Sequence, residues 1–188
     1  MLEELIVRNR SYRRFDEGHA LDEGTLRELV DLARRSASGA NLQPLKYLLS
    51  WERERNAVIF EHLMWAGYLT DWEGPTESER PSGYIVILGD RRITEHFGCD
   101  HGIAAQSILL GATERGFGGC ILGSIERTKL GEELGIGAEL QILLVIALGK
   151  PAETVVLEDV EPGGSIHYWR DEQGVHHVPK RTLDELII

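Results

Sequence analysis

The chain has 188 residues, 42% of them hydrophobic, and carries 31 acidic side chains against 20 lysines and arginines. Its length suits one domain with a sizeable core, and a formal net charge of -11 opposes binding to an extended nucleic-acid backbone. Two cysteines, Cys99 and Cys120, are too few for a disulfide framework and imply reduced thiols in a cytoplasmic protein.

The opening "MLEELIVRNR" mixes charges of both signs and lacks the apolar run of a secretory signal. The longest apolar stretch, "ILLVIALG" at 142–149, is too short to cross a bilayer. A short amphipathic helix is expected over 2–9. Directly after it, "RNRSYRRF" (8–15) sets Arg8, Arg10, Arg13 and Arg14 close together.

The clearest helix is "LDEGTLRELVDLARRSAS" (21–38). Asp22 is placed to cap it, Leu21 and Leu26 form a hydrophobic staple, and Leu26, Leu29, Val30 and Ala33 make one apolar face. The loop "SASGANLQP" follows and closes at Pro44. "LKYLLSW" (45–51) reads as a strand and "NAVIFEHLMWAGYL" (56–69) as a helix, with the polar loop "DWEGPTESERPSG" (71–83) beyond.

"GYIVILGD" (83–90) is a β-branched run suited to a strand buried on both faces. "DHGIAAQSILLGATERG" (100–116) predicts a helix buried on several sides and capped by Asp100. A short apolar stretch "GGCILGSI", a surface helix "RTKLGEELG" and a buried strand "QILLVIALG" follow. "IHYWRDEQGVHHV" predicts a hairpin turning at Glu172-Gln173-Gly174, ahead of the basic tail "PKRTLDELII". Strands and helices mix without strict alternation. That predicts an α+β fold with a central sheet, as a single domain over 1–188.

The arginine cluster has two readings. Arginine forks and the Ser11 hydroxyl match phosphate oxygens, each charge-assisted hydrogen bond contributing roughly 1.5–3 kcal/mol; alternatively, arginines at a helix end offset the macrodipole and stay solvated. Ser38, Asn41 and Gln43 are suited to reading amide and carbonyl edges beside Gly39, or else they form an ordinary turn. The glycines of "GFGGCILGSI" fit neither a P-loop nor a dinucleotide fingerprint. They suit either a backbone strip lying against a flat ring or a tight start to a strand. The seven histidines lack metal-ligand spacing, and no G-x-S-x-G nucleophile motif is present. Trp65, Tyr68 and Trp72 either roof an aromatic ligand or belong to the core.

In this order, "RNRSYRRF", "SGANLQP", "ERPSGYIVILGD", "DHGIAAQSILLGATERGFGGCILGSI" and "VIALGKP", with a basic C-terminal element, resemble the flavin-dependent nitroreductase family from about residue 6 to 186. The resemblance implies a central, mostly antiparallel sheet flanked by helices, and a homodimer with FMN at the subunit interface. It assigns Arg10, Ser11 and Arg13 to the FMN phosphate and ribityl chain, with Lys180 or Arg181 closing that pocket. Ser38, Gly39 and Asn41, with Gln43 beside them, would come from the other subunit, and Ile121, Leu122 and Gly123 would run along the ring. The sequence departs from the family pattern at Asn9, where another arginine is frequent, and at Ala37, where proline is common.

The implied chemistry is transfer of reducing equivalents from NAD(P)H through flavin N5 to a small electrophilic acceptor, such as a nitroaromatic or a quinone, by a ping-pong scheme. No side chain is assigned a catalytic role. The competing reading is a non-catalytic flavin-binding or anion-binding module.

Overall fold

The computed structural model describes residues 1–188. Its helices are α1 (Leu2–Arg8), α2 (Glu23–Arg34), α3 (Arg53–Glu61), α4 (Asp100–Glu114), α5 (Arg127–Glu133) and α6 (Leu183–Leu186). The strands are β1 (Phe15–Asp16), β2 (Leu45–Ser50), β3 (Gly83–Asp90), β4 (Gly118–Leu122), β5 (Leu140–Pro151), β6 (Val155–Val160), β7 (Trp169–Arg170) and β8 (His176–Arg181).

The long strand β5 organises the main sheet. It pairs antiparallel with β1, β3 and β4, and β2 adds to β3, also antiparallel. Alternation along β3 sends Tyr84, Val86 and Leu88 to one face and Ile85 and Ile87 to the other. On the first face they meet Ile59 of α3, Leu63, Trp65 and Leu130 of α5. On the second they meet Leu26 and Leu29 of α2 and Ala104, Ala105 and Ile108 of α4. Apolar side chains on both sides explain why β3 reads as a continuous β-branched run. A smaller sheet carries the C-terminal region, with β6 parallel to β8 and β7 antiparallel to it.

Several sequence expectations appear directly. Asp22 caps α2, its Oδ1 accepting from the Thr25 N–H at 2.7 Å. Leu21 and Leu26 are both buried in the α2/α4 layer. The hairpin turns where expected, with Gly174 at φ +80° and Trp169 and Arg170 opposite His177 and His176.

Two expectations are corrected. The helix expected over 56–69 starts at Arg53 and stops at Glu61. Beyond it Leu63 bridges Ile125, and the Met64 N–H donates to the Ser124 carbonyl at 3.1 Å. These partners, far along the chain, offer the backbone a better pairing than another helical turn. Asp100 is not the cap of α4: Cys99 holds that position, and Asp100 is the first helical residue. Its carboxylate instead accepts from the loop that follows α2. No helix is long and apolar enough to cross a membrane.

Candidate functional site

After α1 the arginine segment runs along the start of β4. Ser11 bridges Gly119 in parallel fashion, and the Tyr12 N–H donates to the Gly119 carbonyl at 3.0 Å. This close approach requires two of the glycines. A Cβ at Gly118 would lie 2.5 Å from the Tyr12 ring, and one at Gly119 would lie 2.4 Å from the Ala147 carbonyl oxygen. Gly123 is different, since a Cβ there would meet only Leu144, at 3.9 Å. The first two glycines serve the chain's own packing, and the last faces open space.

The four arginines have separate surroundings. Arg8 reaches the Thr113 carbonyl near the C-terminal end of α4, at 3.5 Å, where a cation is favoured. Arg10 donates one Nη back to the Ile6 carbonyl and keeps a buried Nε with no partner. Arg13 donates to the Ser11 carbonyl and to His176 Nε2, each at 3.2 Å, and its guanidinium lies 4.9 Å over the Tyr168 ring. Arg14 sits 3.5 Å from Glu79 and 5.9 Å over Trp72.

A buried acid holds the segment together. Glu153 accepts from the backbone N–H groups of Arg13 and Arg14 and forms a 2.9 Å ion pair with Arg170. Its side chain is 1% exposed. His176, also buried, is pushed down to about 4 by burial and then by the Arg13 guanidinium. It is therefore a neutral acceptor for Arg13 at physiological pH. Sequence reasoning overlooked Glu153 and His176, which lie 139 to 163 residues from Arg13 and Arg14, and Arg170, which carries no motif of its own.

The second group gathers at the opposite end of α4. Ser38 Oγ donates to Asp100 Oδ2 at 2.6 Å, the Gly39 N–H donates to Asp100 Oδ1 at 2.9 Å, and the Gln43 N–H donates to Ser38 Oγ at 2.9 Å. Held this way, Ala40, Asn41 and Gln43 adopt φ of +49°, +54° and +51°. For Ala40 and Gln43 the left-handed conformation costs about 1–2 kcal/mol each, less for Asn41, whose side chain tolerates it, and such strain clusters where loops clamp ligands. Asn41, Leu42 and Gln43 are exposed.

These two groups do not meet within one chain. One touches α4 at Asp100 and the other at Thr113, which at 1.5 Å per residue is a separation of about 20 Å.

The strip after the glycines presents Ile121 and Gly123 outward, with Leu122 buried. Ile121 is in register with Ile146 and, across it, Ile85, on the face that α2 and α4 cover elsewhere. It is nevertheless 39% exposed, although α4 reaches the start of the same strand, where a Cβ on Gly119 would lie 2.7 Å from the Leu109 side chain. Arg127 fixes the strip from below by donating to the carbonyls of Gly123 at 2.9 Å and Ile142 at 3.1 Å. Sequence reasoning overlooked this arginine too. Burial pushes the Cys120 thiol up, which removes it as a nucleophile.

Lys180 and Arg181 lie at the far end of β8, four and five residues from His176, or about 13–17 Å along an extended strand. Arg181 is 3.7 Å from Glu185. Trp65 is in the core against Phe60. Trp72 lies beneath Arg14 and Arg170. Tyr68 is half exposed and stacks on His167 with ring centroids 4.2 Å apart.

Comparison with known proteins gives these features a context. Residues 80–150 match the Nitroreductase family. That span runs from Arg80 to Lys150 and contains β3, α4, β4 and most of β5. No curated protein sequence matches the chain. Among solved structures, the nitroreductase family protein of Streptococcus pneumoniae TIGR4 superposes with a TM-score of 0.72 at 16% identity, over 100% of this chain and 99% of that one. An FMN-dependent nitroreductase from Clostridium difficile R20291 gives 0.64 at 20% identity, over 79% and 87%. The NADPH:FMN oxidoreductase of Vibrio harveyi, complexed with NAD+, gives 0.64 at 21% identity, over 80% and 69%. The chain thus matches the nitroreductase family in sequence over residues 80–150 and has the nitroreductase fold along its length.

Proposed function

We propose that the chain, taken as one unit over 1–188, is an FMN-dependent oxidoreductase that works as a cytoplasmic homodimer. The observation that carries this reading is the split site. Arg10 with an unpartnered Nε and the strained loop 38–43 lie at opposite ends of α4. A two-fold dimer that sets one protomer's arginine end beside its partner's loop end would complete the site. The uncovered Ile121 and open Gly123 then lie between them.

The residues present fit a phosphorylated flat cofactor. Arg10 and Ser11, aided by Arg8, supply donors for a phosphate monoester. The Arg13 guanidinium is already engaged by His176 and Tyr168, so its part is to position Ser11, whose carbonyl it holds. Ile121, Leu122 and Gly123 offer an apolar strip for a ring, kept rigid by Arg127. Ser38 and Gly39 hold the strained loop on Asp100, leaving the Asn41 and Gln43 side chains to face the cofactor from the other subunit. Lys180 and Arg181 add positive charge from β8.

FMN, when bound there, would supply hydride acceptance and donation. Reduced nicotinamide is the proposed donor and a small electrophile, such as a nitroaromatic or a quinone, the acceptor, the two using one exposed face in turn. The names of the C. difficile and V. harveyi neighbours support this choice of cofactor and donor. Tyr68, exposed and stacked on His167, is the side chain proposed to meet an acceptor.

A visible spectrum of the purified protein tests the reading. A flavin band is expected, and Arg10→Ala is expected to lower flavin affinity by about tenfold or more with little change in melting temperature. Bleaching of the band by NADH or NADPH under anaerobic conditions, reversed by an acceptor, is the expected sign of catalysis. A flavin that is never reduced points to a non-catalytic flavin-binding module, and a colourless protein to an anion-binding one.

A further inference from the structure

The two adjacent histidines of β8 look to opposite faces of the small sheet, as alternation along a strand requires, and their surroundings differ. His176 is buried against Arg13 and Tyr168 and is neutral. His177 meets acids. Its Nδ1 lies 2.7 Å from Glu158 Oε1 on β6, and its Nε2 lies 3.2 Å from Asp171 Oδ2 in the turn after β7. The Trp169 ring of β7 stacks on it, tilted by only 6°, with ring centroids 4.7 Å apart.

Both ring nitrogens therefore face acceptor-only groups. A neutral imidazole has one N–H and one lone pair, so it donates to one carboxylate and sets its lone pair against the other. The imidazolium donates to both, as two charge-assisted bonds. The charged groups facing the ring are these two acids, and their hydrogen bonds, that of Glu158 first, hold its proton above the usual histidine range. His176, behind it on the other face, is neutral and feels the His177 charge as a repulsion.

The two bonds join separate pieces of chain. Asp171 shapes the hairpin turn with its other oxygen, Oδ1, which accepts from the Gln173 and Val175 N–H groups at 3.0 and 2.8 Å. Glu158 belongs to β6, on the far side of β8 from β7. Strand β7 has only two residues, Trp169 and Arg170, and so short a ladder holds weakly by itself. Yet this strand carries the cover of the arginine segment. Arg170 pairs with Glu153 at 2.9 Å, and Tyr168 just before it lies 4.9 Å beneath the Arg13 guanidinium.

We propose that His177 is a pH-sensitive clip: as an imidazolium it ties the β7–β8 hairpin to β6, and on losing its proton it lets the hairpin lift from the arginine segment. The folded chain holds this proton more tightly than the unfolded one. The stabilisation is thus complete below about pH 6.5 and is lost as pH rises through the folded value.

Two readouts on the purified full chain test the clip. Protonated imidazole quenches an indole in contact with it more strongly than neutral imidazole does. Emission from Trp169, taken as the difference from Trp169→Phe, is therefore expected to rise with a midpoint above about pH 6.5. Glu158→Gln is expected to move that midpoint to lower pH, and His177→Gln to abolish the titration. Trypsin cleavage after Arg170 reads the hairpin itself, because that side chain is only 12% exposed. His177→Gln is expected to be cut several-fold faster than the parent at about pH 6, and at the parent's rate at about pH 9. Comparison at each pH cancels the protease's own pH dependence. Glu158→Gln keeps the size of the side chain, so it reports on the clip even where His177→Gln folds poorly. A midpoint at or below about 6.5, a midpoint that Glu158→Gln leaves in place, or a cleavage ratio that is the same at both pH values overturns the proposal.

Discussion

A buried carboxylate organises irregular chain at each end of α4, and the two do so differently. Glu153 collects the backbone N–H groups of Arg13 and Arg14 and is neutralised by Arg170 at 2.9 Å. Asp100 collects the Ser38 hydroxyl and the Gly39 N–H, with the N-terminus of its own helix as its favourable field. One end is an ion-paired cluster whose members depend on each other. The other is a hydrogen-bonded clamp on a strained loop. Charge can be removed from the second at modest cost, whereas removal from the first strands cations.

The largest expected effect comes from breaking the ion-paired end. Glu153→Ala leaves Arg170, whose side chain is 12% exposed, without its counter-charge, and also frees two backbone donors. A loss of about 3–5 kcal/mol in urea unfolding is expected. A loss below about 1 kcal/mol means that Glu153 behaves as a surface acid and the comparison fails. Reduced flavin content should accompany the loss, since the same acid sets the path of the backbone through Ser11.

Acid is expected to act at this end as well. The folded His176 titrates near 4, against about 6.5 when unfolded. Between these values the unfolded chain binds more protons, so stability falls as pH drops from about 6.5 towards 4. The full span amounts to about 3 kcal/mol. Arg13, Arg170 and His177 oppose the extra charge and Glu153 favours it. Unfolding measured across this range should show the slope, and His176→Gln should flatten it. An unchanged slope in that variant would place the acid sensitivity elsewhere.

The two ends were unequally legible in the sequence, as was the fold. Strands β3 and β5 and helix α2 are marked by local features: β-branched runs, a cap and a hydrophobic stripe. The end of α3 is not, because residues 56–69 keep helical periodicity while Leu63 and Met64 pair with Ser124 and Ile125. Strand β6 also went unseen. "VVLEDV" has little apolar alternation, and its parallel partner β8 is some twenty residues away. At the site, Ser11, Arg10 and the loop 38–43 were legible as motifs. Glu153 was not, since nothing local signals partners 139 and 140 residues distant. Asp100 was noticed but given the wrong task. A carboxylate at a helix start serves a cap and a neighbouring loop equally well, and only the tertiary arrangement of α2 and α4 decides between them.

The clamp at Asp100 sharpens the comparison through a milder change. Asp100→Asn keeps one carbonyl oxygen for the Gly39 N–H and exchanges an acceptor for a donor opposite Ser38 Oγ. A cost of about 1–2 kcal/mol is expected, smaller than that of Glu153→Ala, because no cation is left unpaired. Equal costs for the two variants would erase the distinction between the ends.

The smallest effect is expected within the clamped loop. Ala40 at φ +49° carries strain that glycine does not, about 1–2 kcal/mol. Glycine also gives the unfolded chain more freedom, which costs about 0.4–1 kcal/mol. The balance predicts that Ala40→Gly leaves stability unchanged or raises it by up to about 1 kcal/mol. A destabilisation larger than that would show that residue 40 is not left-handed in solution. The clamp would then be holding a relaxed turn, and its hydrogen bonds to Asp100 would have no strain to oppose.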